Sequence, residues 1–574
     1  MKIFRNKRSS GNYYSYDNRS SEFTQYKGIG WNQHRRLRRS RSGERQPMAP
    51  LWLSVPLTLL LLLPNIMALF MAGNLGGVGE RLLYLLATLL LFMLPACVVR
   101  ARTFFLIQSP LLLFGIVELV HLFVNRATTS LLFVYTCLIA EPGEFKELMS
   151  NYLALILLVL VIWGAYFYVV IKRLPRDGWL MPLTARQVAG AAGGLLLALL
   201  LFVAPLRQTV GKACPFDFYA ATWRIHHISR QISKGQQQAD GFSFEARVDS
   251  TKQDALIVLI IGETARYDHF GLNGYERPTT PRLSERRNLY SYDSIYTVCN
   301  LTTVCVPMML NRATPQQPQP LAGERSLQDA LHEAGYQTAW IANQSYANRM
   351  LKPIAMRCDK TIYMPADEPE STHDFGLLTP LAEVMADSGR QFVTVHSLGC
   401  HFEYNKRYPE AFRQYTPDEG GNMMRDRELL TNSYDNAIYY TDCFIDSVIT
   451  MLEQSGRPAV MFYVADHGEN LLDDERGLFL HGTYEGSLYE YHVPLLVWTS
   501  DAYRKQHRQL EETMQTNKAV RQSTMTVFHT LLQLSDVTLP TMDTCMSLVH
   551  PALIRPDTIY RLDANLNCVP LPER

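Results

Sequence analysis

The chain has 574 residues, enough for more than one domain, and it is nearly neutral, with 55 Lys and Arg against 54 Asp and Glu. That balance joins unlike parts. Residues 1–48 carry 12 basic and 3 acidic residues, which leaves 43 against 51 and a net of −8 for the remainder. Long apolar runs dominate up to about residue 206 and an ordinary soluble composition follows, which excludes a single water-soluble domain.

The basic arm, residues 1–48, includes Arg35, Arg36, Arg38, Arg39 and Arg41. Beside an apolar segment it reads as a cytoplasmic flank of a membrane anchor rather than a nucleic-acid patch. Within 49–206, five segments near 51–72, 82–99, 103–124, 152–171 and 188–206 are long enough to span a bilayer. Glu118 and His121 interrupt the third. The first does not read as a cleavable signal peptide, because its basic leader is too long and more spans follow. The arm, the Arg100/Arg102 turn and the loop with Lys172, Arg173, Arg176 and Arg186 fall on one side in a five-span count. The positive-inside rule makes that side cytoplasmic and puts everything after residue 206 outside. Eight of the ten cysteines lie in that exported part, an even number that permits disulfides.

Residues 207–253 connect the two parts. Phe218, Ala221, Ile225, Ile228 and Ile232 repeat at helical spacing. They fit either an interfacial helix lying on the membrane or a linker helix packed on the soluble domain. Lys234 to Asp240 reads as a loop. From 254 to 574, apolar strand-like runs at 255–261, 337–343, 391–398, 459–465 and 493–499 alternate with helical stretches, among them Ser326 to Ala334 and Asp435 to Ser455. Such alternation predicts a doubly wound, largely parallel α/β sheet.

Two of those runs end in candidate ligands. Ala255 to Ile261 leads into Gly262-Glu263-Thr264-Ala265-Arg266, and Ala459 to Val464 leads through Ala465 into Asp466-His467-Gly468-Glu469. The carboxyl edge of an open α/β sheet is where ligands bind. Two carboxylates and an imidazole suit a borderline cation such as zinc, with one position left open for chemistry. Thr302 and Thr303, in Cys299 to Pro307, are alternative nucleophiles; at a helix start either would face free N–H groups that favour an anion, and a nearby cation would lower its pKa. His396, His401 and His481 stand at loop positions after strands, where they could bind phosphate, hold a second metal or act as general acid or base.

Several stretches together resemble the lipid A phosphoethanolamine transferases, the family that includes the mobile colistin-resistance enzymes. They are Gly262 to Pro281, the threonine segment ending in Val306-Pro307, His401 to Pro409, Asn432 to Asn436, Ala465 to Glu469, and His481-Gly482-Thr483. The resemblance implies five membrane helices followed by a periplasmic α/β domain of the alkaline phosphatase and sulfatase type, in a bacterial inner-membrane enzyme. It implies zinc at Glu263, Thr302, Asp466 and His467, with Thr302 as the nucleophile. It places His401 and His481 as substrate or second-metal residues and His396 as accessory. It implies phosphatidylethanolamine as donor, lipid A or another lipopolysaccharide glycan as acceptor, a phosphothreonine intermediate, polymyxin resistance as the cellular effect, a monomer, and no nucleic-acid partner.

Three features depart from the family pattern. The family's disulfide around the nucleophile has its second cysteine just after the Val-Pro pair, where this chain has Met308; Cys299 and Cys305 would close a tighter loop. Its basic residue near a substrate loop has no counterpart in Asn343 to Arg349, where Asn348 stands nearest. The basic arm is long. Among alternatives, a sulfatase needs a Cys-x-Pro-x-Arg or Ser-x-Pro-x-Arg motif, absent around Thr302. A phosphoglycerol transferase of the lipoteichoic acid synthase type would share five spans and threonine chemistry. A catalytically inactive membrane scaffold would not need the four candidate site residues.

Overall fold

Strand formation in the C-terminal half follows directly from the apolar runs. Leu256–Gly262 (β1) is buried at every position, as are Gln391–His396 (β5) and Ala459–Ala465 (β6). Strands covered on both faces read as continuous rather than alternating apolar segments. In the computed structural model, which describes residues 46–139, 153–344, 350–364, 373–421, 423 and 425–572, they form the middle of a seven-stranded sheet. The other strands are Leu289–Ser291 (β2), Gln337–Ala342 (β3), Lys360–Tyr363 (β4) and Leu495–Thr499 (β7). Their order is β2-β7-β6-β1-β5-β3-β4. Neighbours from β6 to β4 run parallel, and β7 is antiparallel to both β6 and β2.

Register fixes the functional edge. Ile261 pairs with both His396 and Val464, and Gly262 pairs with Ala465. The residues that follow β1 and β6 therefore leave the sheet side by side at its carboxyl edge. The expected strands are present, with β5 ending at His396, so His396 is a strand residue rather than a loop one. The helix expected from Asp435 begins earlier and spans Arg427–Gln454, started by Asp426, whose side chain accepts the Leu429 N–H.

In the N-terminal half, among the described residues, four helices are long and apolar enough to cross a membrane: Leu51–Met71, Val78–Cys97, Ile156–Arg173 and Leu183–Leu200. The segment expected as the third span is a pair, Ala101–Gln108 and Leu111–Asn125, bent by 48°. The break falls at Ser109-Pro110; the proline ring clashes with helix continuation on its N-terminal side. Counting the pair as one span gives five. Glu118 and His121 do not face outward but are buried within the bundle. The Glu118 carboxylate accepts the Thr129 N–H at 3.1 Å, and His121 Nδ1 lies 3.0 Å from Asn125 Nδ2. The basic arm up to residue 45 and Asn348 lie outside the described residues.

The connecting segment forms the helix Phe216–Gln238. Ala221 is buried in the core of the α/β domain, and Phe218, Ile225 and Ile228 pack against it, while Trp223 is exposed. This is the packed-helix alternative. The loop expected at Lys234 to Asp240 is instead helical through Gln238. Gly235 lies against the Ala322 carbonyl, so the helix continues where a side chain would have held the two segments apart. The helix Leu131–Ile139, from the N-terminal half, also contributes Leu131, Leu132 and Val134 to the core of the α/β domain.

Candidate functional site

Four predicted residues meet at the carboxyl edge. Glu263 follows β1, Asp466 and His467 follow β6, and Thr302 opens the helix Thr302–Met309. Thr302 Oγ1 lies 3.2 Å from both carboxylate oxygens of Glu263 and 3.2 Å from His467 Nε2. His467 Nε2 lies 3.5 Å from Glu263 Oε1 and 3.4 Å from Asp466 Oδ2. Tetrahedral zinc with bonds of about 2.0–2.1 Å to oxygen and nitrogen has ligand-to-ligand edges of about 3.3 Å, so the donor set fits that ion.

The electrostatics agree. Glu263, Asp466 and His467 are fully or almost fully buried. Burial, reinforced by the Asp466 carboxylate, pushes the Glu263 carboxyl well above its ordinary range. Burial lowers His467, which favours the neutral imidazole that metals take. Asp466 Oδ1 accepts the N–H groups of Thr264 and His467. Its Oδ2 is buried without a hydrogen-bond partner among the described residues. A buried carboxylate oxygen left so is costly unless a cation meets it.

The backbone around the cluster is over-determined. Thr264 adopts φ 59°, rare for a β-branched residue. It is held there by its N–H to Asp466, by its hydroxyl to Glu263 Oε1 at 2.8 Å and by the Tyr434 hydroxyl donating to its carbonyl. Strain confined in this way marks functional sites. Gly468 lets the chain pass against Tyr489, where a Cβ would strike the Tyr489 carbonyl oxygen. Gly468→Ala is expected to lower stability by about 1–3 kcal/mol, because a backbone obstacle cannot rotate away. Denaturant unfolding of the variant checks this.

Of the remaining histidines, His481 and His401 lie beside the cluster and His396 beneath it. The His481 ring centroid lies 4.2 Å from that of His467 and 6.5 Å from that of His401. His481 Nδ1 lies 3.2 Å from Glu469 Oε1. Burial pushes Glu469 up to about 8, and Tyr404 donates its hydroxyl to Oε2 at 3.0 Å. Burial, with Arg407 and His481 nearby, lowers His401 to about 3, so it is neutral at pH 7. His396 is buried beneath the edge against Trp340, with ring centroids 5.8 Å apart. Among the described residues only Glu263, Asp466 and His467 form a compact group of three metal-ligating side chains.

Two contributors were not foreseen. Gln344 Nε2 donates to Glu263 Oε2 and to the Ser397 carbonyl, both at 3.0 Å, and so orients the carboxylate. Glu490, fully buried, accepts from Asn300 Nδ2 at 2.7 Å and from Thr483 N–H at 3.1 Å, joining the turn before Thr302 to the His481 loop. The expected disulfides are not formed: all ten cysteines are free thiols. Cys305 Sγ is directed at the Cys299 carbonyl oxygen, 2.9 Å away, rather than at its sulfur.

Comparison with known proteins bears on what this edge does. Residues 255–537 match the sulfatase family model. The Kdo(2)-lipid A phosphoethanolamine 7''-transferase of Salmonella typhimurium is 33% identical over 282 residues, covering 47% of this chain and 48% of that protein. Phosphoethanolamine transferase EptC of Escherichia coli K12 is 28% identical over 364 residues, covering 60% and 62%.

The relatives are phosphoethanolamine transferases.

The chain spans about half the length of the first of them. Among solved structures, the C-terminal periplasmic domain of Escherichia coli EptC, in complex with Zn, superposes with a TM-score of 0.51 at 26% identity, covering 56% of this chain and 92% of that one. The integral membrane phosphoethanolamine transferase EptA from Neisseria meningitidis gives 0.62 at 22% identity, covering 87% and 99%. The latter shares the fold, long apolar helices followed by an α/β domain, and the family match gives that domain its sulfatase type. The resemblance read from the motifs is thus borne out at the level of family relatives and architecture.

Proposed function

We propose that this chain transfers phosphoethanolamine from phosphatidylethanolamine to lipid A or another lipopolysaccharide glycan. The observation that carries the reading is the position of Thr302 Oγ1, within 3.2 Å of Glu263 and His467, in a chain whose relatives are phosphoethanolamine transferases. Glu263, Thr302, Asp466 and His467 would hold zinc, as the Zn complex of the EptC domain suggests. When bound, zinc supplies positive charge that stabilises the transferring phosphoryl group and eases loss of the threonine proton.

The chain's own residues do the rest. Thr302 presents its hydroxyl at the head of a helix, where unpaired N–H groups of the first turn favour an anionic phosphate. In the first half, the Thr302 oxygen bonds to phosphorus and the bond from phosphorus to the diacylglycerol oxygen breaks; the threonine proton ends on that oxygen. In the second half, an acceptor oxygen attacks the phosphothreonine and returns Thr302 to its hydroxyl. His481, held by Glu469, and neutral His401 are suited to hold the phosphate or carry the proton at the leaving oxygen, or to bind a second metal. His396, buried behind them, supports the edge.

The same reading places the enzyme in the bacterial inner membrane as a monomer with its catalytic domain in the periplasm. Membrane helices confine both lipid substrates near the site, and added ethanolamine would offset acceptor negative charge, lowering binding of cationic peptides such as polymyxin. Mass spectrometry of envelope lipids from cells expressing the chain tests this. Phosphoethanolamine on lipid A or core sugar is expected. A phosphoglycerol adduct would identify the lipoteichoic acid synthase type of chemistry instead, and no adduct would count against transfer altogether.

A further inference from the structure

The C-terminal hairpin, Tyr560–Leu562 paired with Cys568–Pro570, lies beyond the region matched by the sulfatase family model. It touches three parts of the molecule at once. Its turn meets the membrane half: Leu131 N–H donates to Asn565 Oδ1 at 3.1 Å, and Leu132 N–H to the Ala564 carbonyl at 3.0 Å. Its first strand meets the nucleophile segment, where Leu562 N–H donates to the Val298 carbonyl at 2.7 Å. Arg561, buried, grips the loop after His481, donating to the Glu485 carbonyl at 2.8 Å and to the Tyr491 hydroxyl at 2.9 Å.

These contacts converge on Tyr484, three residues after His481. Its N–H donates to Asn125 Oδ1 of the bent membrane span at 3.2 Å. Its hydroxyl faces the side chains of Asn74, between two membrane helices, and Asn565. Asn565 thus contacts both the start of the Leu131–Ile139 helix and the loop that carries His481. Its own fold is set locally, since Asp563 Oδ1 accepts the N–H groups of Asn565 and Asn567 at 2.8 Å.

We infer that Asn565 is a positioning residue that registers the membrane half on the His481 loop, so that a donor held in the bilayer meets Thr302 in line. The inference rests on the transferase reading above. Thr302, Glu263, Asp466 and His467 make no contact with Asn565, so its loss should spare a donor that diffuses in from water.

The test uses the full chain in liposomes containing phosphatidylethanolamine and lipid A, and p-nitrophenyl phosphoethanolamine as a water-soluble donor. Asn565→Ala is expected to raise KM for the bilayer donor about tenfold, while kcat/KM for the soluble donor stays within about twofold. Asn565→Asp keeps an acceptor for Leu131 N–H and should restore the bilayer KM. Equal loss on both donors, or no loss on the bilayer donor, overturns the inference. Wild-type protein inactive on both overturns the transferase reading instead. Hydrogen exchange decides the point independently of turnover. In Asn565→Ala, exchange of the Leu131 and Tyr484 amides should rise about tenfold while that of Leu256–Gly262 is unchanged. Unaltered exchange at Leu131 and Tyr484 overturns the inference.

Discussion

Thr302→Ala should abolish transfer, lowering the rate by about 10³-fold or more, as loss of a covalent nucleophile does in other enzymes. The substitution removes Oγ1, which faces Glu263 and His467, and leaves the helix it opens with a better helix former. Folding should therefore survive, and unfolding midpoints of variant and wild type should agree closely. Thr303→Ala is the discriminating control. Thr303 is buried and its hydroxyl does not reach the ligand cluster, so that variant should keep activity within a few-fold of wild type. Intact-mass measurement after exposure to phosphatidylethanolamine should find one phosphoethanolamine adduct on wild type and on Thr303→Ala, and none on Thr302→Ala. Transfer that persists without Thr302 would remove it as nucleophile.

Asp466→Asn should have the second large effect, on metal and activity together. The amide oxygen can still accept the N–H groups of Thr264 and His467, so the turn after β6 keeps its shape. The amide nitrogen, however, replaces Oδ2, the buried oxygen left without a partner, and presents protons where a cation would sit. Zinc at a hundred times its Kd should stabilise wild type by about 2.7 kcal/mol, and this increment should vanish in the variant. Thermal unfolding with and without a chelator measures it. A chelator-sensitive midpoint retained in Asp466→Asn would argue that the ion binds elsewhere.

Much of this site was legible because its parts stand at the ends of apolar runs. Leu256 to Ile261 and Ala459 to Val464 are short and apolar throughout, which fits buried strands, and a carboxylate just past such a strand emerges at the sheet edge. Which edge residues meet was set by register, which pairs Gly262 with Ala465 and is not written in either segment alone. The short strands at Leu289–Ser291 and Lys360–Tyr363 escaped notice because both are only partly buried and carry no long apolar run. Gln344 and Glu490 escaped for a different reason. A glutamine in a loop and a glutamate in a short helix have no local signature, and each acquires its role from a partner far away in sequence. The stretch Lys234 to Asp240 reads as a loop in sequence, yet it is helical through Gln238. Gly235 permits close packing, and glutamine propagates the helix well.

The helix Leu131–Ile139 has a consequence for how the molecule can be divided. Its first residues complete a core formed mainly by chain more than a hundred positions later. A fragment beginning at the bridging helix would carry a greasy socket where Leu131, Leu132 and Val134 belong. A chimera that exchanged catalytic domains between two relatives would need matching plugs as well as matching seams. The halves are therefore not interchangeable parts, and selection on either is constrained by the fit of the other.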